Sequence, residues 1–128
     1  MRRVVVTGMG INHHGRIVNI SSISGQAGNV GQVNYSAAKS ALIGATKALS
    51  KELAPKQVTV NAIAPGAIET DIYKFSTEYM LEQMQEVNNI PMRRLGKPEE
   101  VAYLVSFLCS DRANYISGQV IGINGGAL

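Results

Sequence analysis

Tyr35-Ser36-Ala37-Ala38-Lys39 sets a phenol and an ammonium four residues apart, which is one helical turn and therefore one helix face. A phenol ordinarily titrates at about 10, too high for ready proton exchange at neutral pH. A cation one turn away favours the phenolate and brings the group towards a useful range. Taken alone, the pair equally describes an exposed tyrosine and lysine on any amphipathic helix. Ser22 adds to it, lying 13 residues before Tyr35 at the end of an expected strand, where α/β folds gather their ligands. A hydroxyl there can hold a substrate oxygen beside the phenol. Ser21 and Ser24 are its neighbouring alternatives. Downstream, Asn61-Ala62-Ile63-Ala64-Pro65-Gly66-Ala67-Ile68-Glu69-Thr70 leaves the next expected strand at the same end.

The elements that must position these groups follow from hydrophobic spacing. Val4-Val5-Val6 and Arg16 to Ser21 read as short buried strands, and Gly25 to Gly31 as a loop. A helix is expected from about Asn34 to Ala54. Its apolar positions are Ala38, Ala41, Leu42, Ala45, Leu49 and Leu53, and Pro55 stops it. Gln57 to Ile63 is a β-branched strand closed by Ala64-Pro65-Gly66. Ser76 to Val87 reads as a mobile amphipathic helix. A firmer one starts at Pro98, with Glu99 and Glu100 complementing its dipole, and runs to about Cys109. Gln119 to Ile123 is the last strand. Alternating helices and apolar strands predict an α/β layer fold with a mostly parallel sheet.

Composition sets the frame. A chain of 128 residues, 45% hydrophobic and 16% charged, suits one soluble globular domain and excludes disorder. No apolar run approaches the roughly 18 residues of a membrane span, and no secretory leader is evident. The single cysteine, Cys109, cannot form an internal disulfide, so a cytoplasmic setting is expected. Residues 1–51 hold six Lys or Arg and no acid, whereas residues 52–128 hold six bases and nine acids. The bases are scattered, with no basic run and no aromatic platform, so no nucleic-acid partner is expected.

Ile20-Ser21-Ser22, Asn34-Tyr35-Ser36-Ala37-Ala38-Lys39, Val60-Asn61, Pro65-Gly66, Ile68, Thr70 and Asn124-Gly125-Gly126 resemble, in order and spacing, the short-chain dehydrogenase/reductase family. Within it the likeness is to the 3-oxoacyl-[acyl-carrier-protein] reductases, over residues 13–128. The resemblance implies a partial Rossmann-like, doubly wound sheet and an oxidoreductase that uses NADPH. It implies that Tyr35 delivers a proton to the developing alkoxide and that Ser22 orients and polarises the carbonyl oxygen. Lys39 would lower the phenol pKa and bind the nicotinamide ribose. Pro65 and Gly66 would let backbone approach the nicotinamide, with Ile68 and Thr70 at its carboxamide end. The segment from about Thr70 to Asn89 would close over substrate. Implied partners are an acyl carrier protein or a small ketone substrate, in a homo-oligomer. Of the three serines, only Ser22 has the family's spacing to the tyrosine.

Residues 1–12 depart from that pattern, leaving one incomplete domain in which 13–128 is the catalytic and C-terminal half. Thr7-Gly8-Met9-Gly10 matches only the opening of the family's phosphate-binding loop, and no acid precedes Glu52. Met1 to Ile11 is at least as similar to the opening of a 3-oxoacyl-carrier-protein synthase. Gly8 to Gly15 is too short for a parallel crossover, which needs about a dozen residues. The N-terminal segment is therefore expected to form a hairpin, to pair with another chain, or to mark a deleted or truncated gene product. A non-catalytic remnant or assembly subunit of such a reductase is the second reading. His13-His14 is taken as an exposed turn and not a metal site, Cys109 as a core thiol, and Tyr103 with Phe107 as helix packing. Lys56, Arg16 and Arg93-Arg94 are candidates for greeting an acidic carrier, with solvated surface charge as the alternative.

Overall fold

The computed structural model describes residues 2–69 and 87–128, the first four as backbone alone. In chain order these form α1 (Arg2–Asn12), β1 (Gly15–Ile20), α2 (Ile23–Ala27), α3 (Val33–Leu53), β2 (Val58–Pro65), α4 (Pro98–Cys109) and β3 (Val120–Ile123). The strands are parallel in the order β1-β2-β3, with Ile20 beside Ile63 and Ile63 beside Ile121. Central β2 is buried from Val58 to Ala64, as a strand covered on both faces should be.

Strand alternation sorts the core into two faces. Val58, Val60 and Ile17 pack with Leu49 and Leu53 of α3 and with Val6 and Met9 of α1. Ile63, Val18, Ile121 and Ile123 point the other way, onto Val101, Leu104, Val105 and Leu108 of α4. The sheet is thus wound on both sides. Both β1-to-β2 and β2-to-β3 step in the same direction, yet their helices lie on opposite faces.

Two polar ties hold the strand ends in register. Asn61, almost fully buried, donates from Nδ2 to the Ile116 carbonyl at 2.8 Å and accepts from the Gln119 N–H at 3.1 Å. It fastens the approach to β3 onto β2. Arg16, its side chain only 8% exposed, reaches Asp111 at 3.3 Å and also bonds the Asn114 side-chain oxygen.

The expected strand at Val4-Val5-Val6 is instead the start of helix α1. Valine's strand preference is weak against tertiary context, and helical spacing is what brings Val6 and Met9 together onto the core. The helix ends with His13 in the left-handed region at φ 49 and the His14 N–H bonded to the Met9 carbonyl, a Schellman-type closure. This replaces the expected hairpin, while His13 and His14 do sit in an exposed turn. The expected Gly25–Gly31 loop contains α2, capped by Ser22 and ended by Gly28 at φ 78. On α3, Ala38 and Ala41 are exposed; the buried positions are Thr46, Ser50 and Leu53. The inward face is partly polar because Asn19 of β1 donates to the Thr46 hydroxyl at 2.8 Å.

Two readings of α4 are also corrected. Cys109 is exposed, since it lies one step of about 100° round the helix from fully buried Leu108. Tyr103 is 72% exposed, and only Phe107 packs on the core. Thr70 and the segment 76–86 lie outside the described residues. Among the described residues no helix is long and apolar enough to cross a membrane.

Candidate functional site

Ser21 extends β1 by one ladder bond, its N–H donating to the Ile63 carbonyl at 2.8 Å. Ser22 then turns the chain. With φ −164 and ψ 158 it is the N-cap of α2, its Oγ accepting from the Ser24 N–H at 3.2 Å. The cap fixes the hydroxyl oxygen at the C-terminal end of the sheet. Ser22 remains 8% exposed, and its own proton is not part of that bond.

Tyr35 and Lys39 project from the first two turns of α3. The Lys39 ammonium stands 5.6 Å from the centroid of the Tyr35 ring and donates to the Ile20 carbonyl at 3.0 Å. Tyr35 is 47% exposed, so its face is open to a ligand. Lys39 therefore links the helix to the end of β1, two residues before Ser22. Helix α2, which Ser22 opens, is packed against α3. Gly25 makes that packing possible: a Cβ there would lie 2.8 Å from the Lys39 backbone carbon. The Ser40 hydroxyl donates to the Gly25 carbonyl at 2.6 Å, and Ser24 donates to the Gln32 side chain at 3.1 Å. Sequence spacing singles out Ser22, Tyr35 and Lys39 and offers Ser21 only as an alternative to Ser22; the packing roles of Ser21, Gly25 and Ser40, which bind the two helices together, were missed. The small-residue pattern at 21, 24, 25 and 40 was the available signal.

Pro65, Gly66 and Ile68 leave β2 at the same end. Gly66 donates to the Ile123 carbonyl at 2.9 Å, and a Cβ on it would meet the Asn124 backbone at 3.1 Å. Glycine is needed there for close approach to Asn124. Ile68 bridges to Gly96, with Glu69 donating to the Gly96 carbonyl at 2.9 Å. Beyond this strip lies a cavity of about 390 Å³ between Ala67, Ile90, Met92, Gly96 and Asn124. Gly125, at φ 63, lets Ile90 sit against it; a Cβ would meet Ile90 at 2.7 Å.

Arg94 and Glu100 line that cavity as a two-pronged ion pair, with bonds of 2.8 and 2.7 Å. The Arg94 guanidinium, then the Lys97 N–H at 2.8 Å, hold the Glu100 carboxyl down at about 2, and the carboxylate raises Arg94. Arg94 and Arg16 are thus engaged within the chain and are poor candidates for meeting a carrier, while Lys56 is exposed. Among the described residues no three His, Cys, Asp or Glu side chains come together.

A family profile described as Enoyl-(Acyl carrier protein) reductase matches residues 2–127. The chain is 59% identical over 112 residues to a 3-oxoacyl-[acyl-carrier-protein] reductase of Aquifex aeolicus, covering 88% of this chain and 44% of that protein. It is 49% identical over 130 residues to the Rickettsia felis protein of that name, covering 100% and 52%. An acetoacetyl-CoA reductase of Shinella zoogloeoides is 50% identical over 126 residues, covering 98% and 52%. The chain spans about half the length of these relatives.

Proposed function

The chain belongs to the short-chain dehydrogenase/reductase family, and on that premise we propose that it carries the proton-donating half of a 3-oxoacyl thioester reductase. The observation that carries this reading is Lys39, which stands beside the Tyr35 ring while reaching the carbonyl two residues before Ser22. In this reading the Ser22 proton bonds the 3-oxo oxygen, and Tyr35 gives that oxygen its proton as negative charge develops. Lys39 holds positive charge beside the phenol throughout, favouring its ionised form after transfer. Because these groups are fixed by a helix cap and helix packing, little reorganisation accompanies the transfer.

NADPH, when bound, supplies a hydride to the carbonyl carbon. The residues present fit one end of it. Tyr35 and Lys39 offer donors for a ribose hydroxyl, and Pro65, Gly66 and Ile68 offer backbone at the strand ends, with Thr70 following. Among the described residues the phosphate end finds no counterpart, since Thr7-Gly8-Met9-Gly10 lies within helix α1 and is not a loop of inward N–H groups. The substrate would be an acyl-carrier-protein thioester or a small ketone, and assembly would be as a homo-oligomer.

That helical N-terminal segment favours a second reading, a non-catalytic assembly subunit that retains the family's packing surfaces. Titration of the purified chain with NADPH, followed by nicotinamide fluorescence, separates the two. Weak saturable binding, lost when Lys39 is replaced by Ala, supports the reductase. Absence of binding at millimolar NADPH rejects it in favour of the assembly subunit.

A further inference from the structure

We propose that Ser21 is a positioning residue for Lys39, acting on the helix backbone and not on substrate. Ser21 is 3% exposed, and its hydroxyl donates to the Lys39 carbonyl at 2.9 Å. A mid-helix carbonyl already accepts from the N–H four residues on, so the serine uses the second lone pair of an engaged oxygen. It joins the first residue beyond β1 to the very turn of α3 that carries the ammonium. The space beside the Lys39 carbonyl is equally constrained, because Gly25 fills it: a Cβ there would lie 2.8 Å from the Lys39 backbone carbon and 2.9 Å from the Ser21 hydroxyl oxygen. Ser40, the next residue of α3, donates to the Gly25 carbonyl at 2.6 Å. The Lys39 backbone is therefore held at the strand end by a hydrogen bond and by close packing beside it. From that seat Nζ reaches the Ile20 carbonyl at 3.0 Å while standing over the Tyr35 ring. The bond to Ile20 is the resting position of a donor that exchanges it for a ligand oxygen without moving its backbone.

The proposal deepens the reductase reading, on which the importance of Lys39 rests. Its test needs no turnover, so a chain that reduces no ketone leaves the test intact. Lysine acetylation by a water-soluble succinimidyl ester, read residue by residue by mass spectrometry, reports how freely each ammonium meets solvent. In the parent chain Lys39 is expected to react more slowly than exposed Lys47 and Lys51. In Ser21→Ala its rate should rise roughly fivefold, the population change worth one neutral hydrogen bond, with Lys47 and Lys51 unchanged. Ser21→Thr, which keeps the hydroxyl, should restore the parent rate. An unchanged Lys39 rate in Ser21→Ala overturns the proposal. If Ser21→Ala does not fold, Ser21→Cys decides, since a thiol is a weak donor of similar shape. There, a selective rise at Lys39 supports positioning, whereas an even rise at all lysines or no rise overturns it.

Discussion

Replacing Gly25 by alanine perturbs the contact that seats α2 against α3. The added methyl would lie 2.8 Å from the Lys39 backbone carbon and Cβ and 2.9 Å from Ser21 Oγ. Carbon atoms meet comfortably at about 3.5 Å or more, so α2 must retreat from α3 by roughly 0.7 Å. Two of the three neighbours are backbone or Cβ atoms and cannot rotate away. Retreat also stretches the Ser40 bond to the Gly25 carbonyl and the Ser21 bond to the Lys39 carbonyl. Overpacking of this kind costs about 1–3 kcal/mol. Alanine regains about 0.5–1 kcal/mol of helix preference over glycine, leaving a net loss of about 0–2.5 kcal/mol, centred on about 1 kcal/mol. Gly44→Ala is the matched control, because Gly44 lies within α3 with nothing within 4 Å of its missing Cβ. It should gain the helix preference alone. Urea unfolding followed by circular dichroism at 222 nm measures both. A Gly25→Ala chain stabilised as much as Gly44→Ala refutes the proposed packing.

The remaining expectations concern the frame around the site. Arg16→Lys should lower stability by about 1–2 kcal/mol, since a single ammonium nitrogen cannot hold the Gly15 carbonyl, as Nη1 does, together with Asp111 and Asn114, as Nη2 does; thermal unfolding checks it. Leu108→Ala should cost about 2–5 kcal/mol through a cavity in the α4 face, whereas Cys109→Ser should be nearly neutral and Cys109 should be alkylated by iodoacetamide in the native chain. The depressed Glu100 carboxyl contributes stability that is present above its unfolded value, 4.5, and lost as pH falls towards about 2. Urea midpoints measured across that window should therefore decline less steeply in Glu100→Gln than in the parent.

The sheet, α3 and α4 were legible because their signals are local. Valine and isoleucine runs of strand length mark β1 and β2, and Pro98 followed by two glutamates marks the start of α4. The helix α1 was not legible, because three consecutive valines carry strand preference and only packing on Leu53 and Val60 decides otherwise. Helix α2 was hidden among glycines: its cap, Ser22, was identified as a substrate contact and not as the residue that opens a helix. The positions of Ser22, Tyr35 and Lys39 were legible from spacing. Their supports were not, since the Ser21–Lys39 and Ser40–Gly25 bonds join residues 18 and 15 apart whose pairing no periodicity encodes. Exposure of Cys109 beside buried Leu108 is a matter of a single helical step, finer than hydrophobic spacing resolves.

Proton donation by Tyr35 is the central step of the proposed reduction. Oxidation of NADPH at 340 nm should be followed with an acetoacetyl thioester as substrate, for the parent chain and for Tyr35→Phe. Thioester-dependent oxidation by the parent, reduced about 100-fold or more in the phenylalanine variant, is the outcome predicted. Equal rates in the two proteins would contradict it.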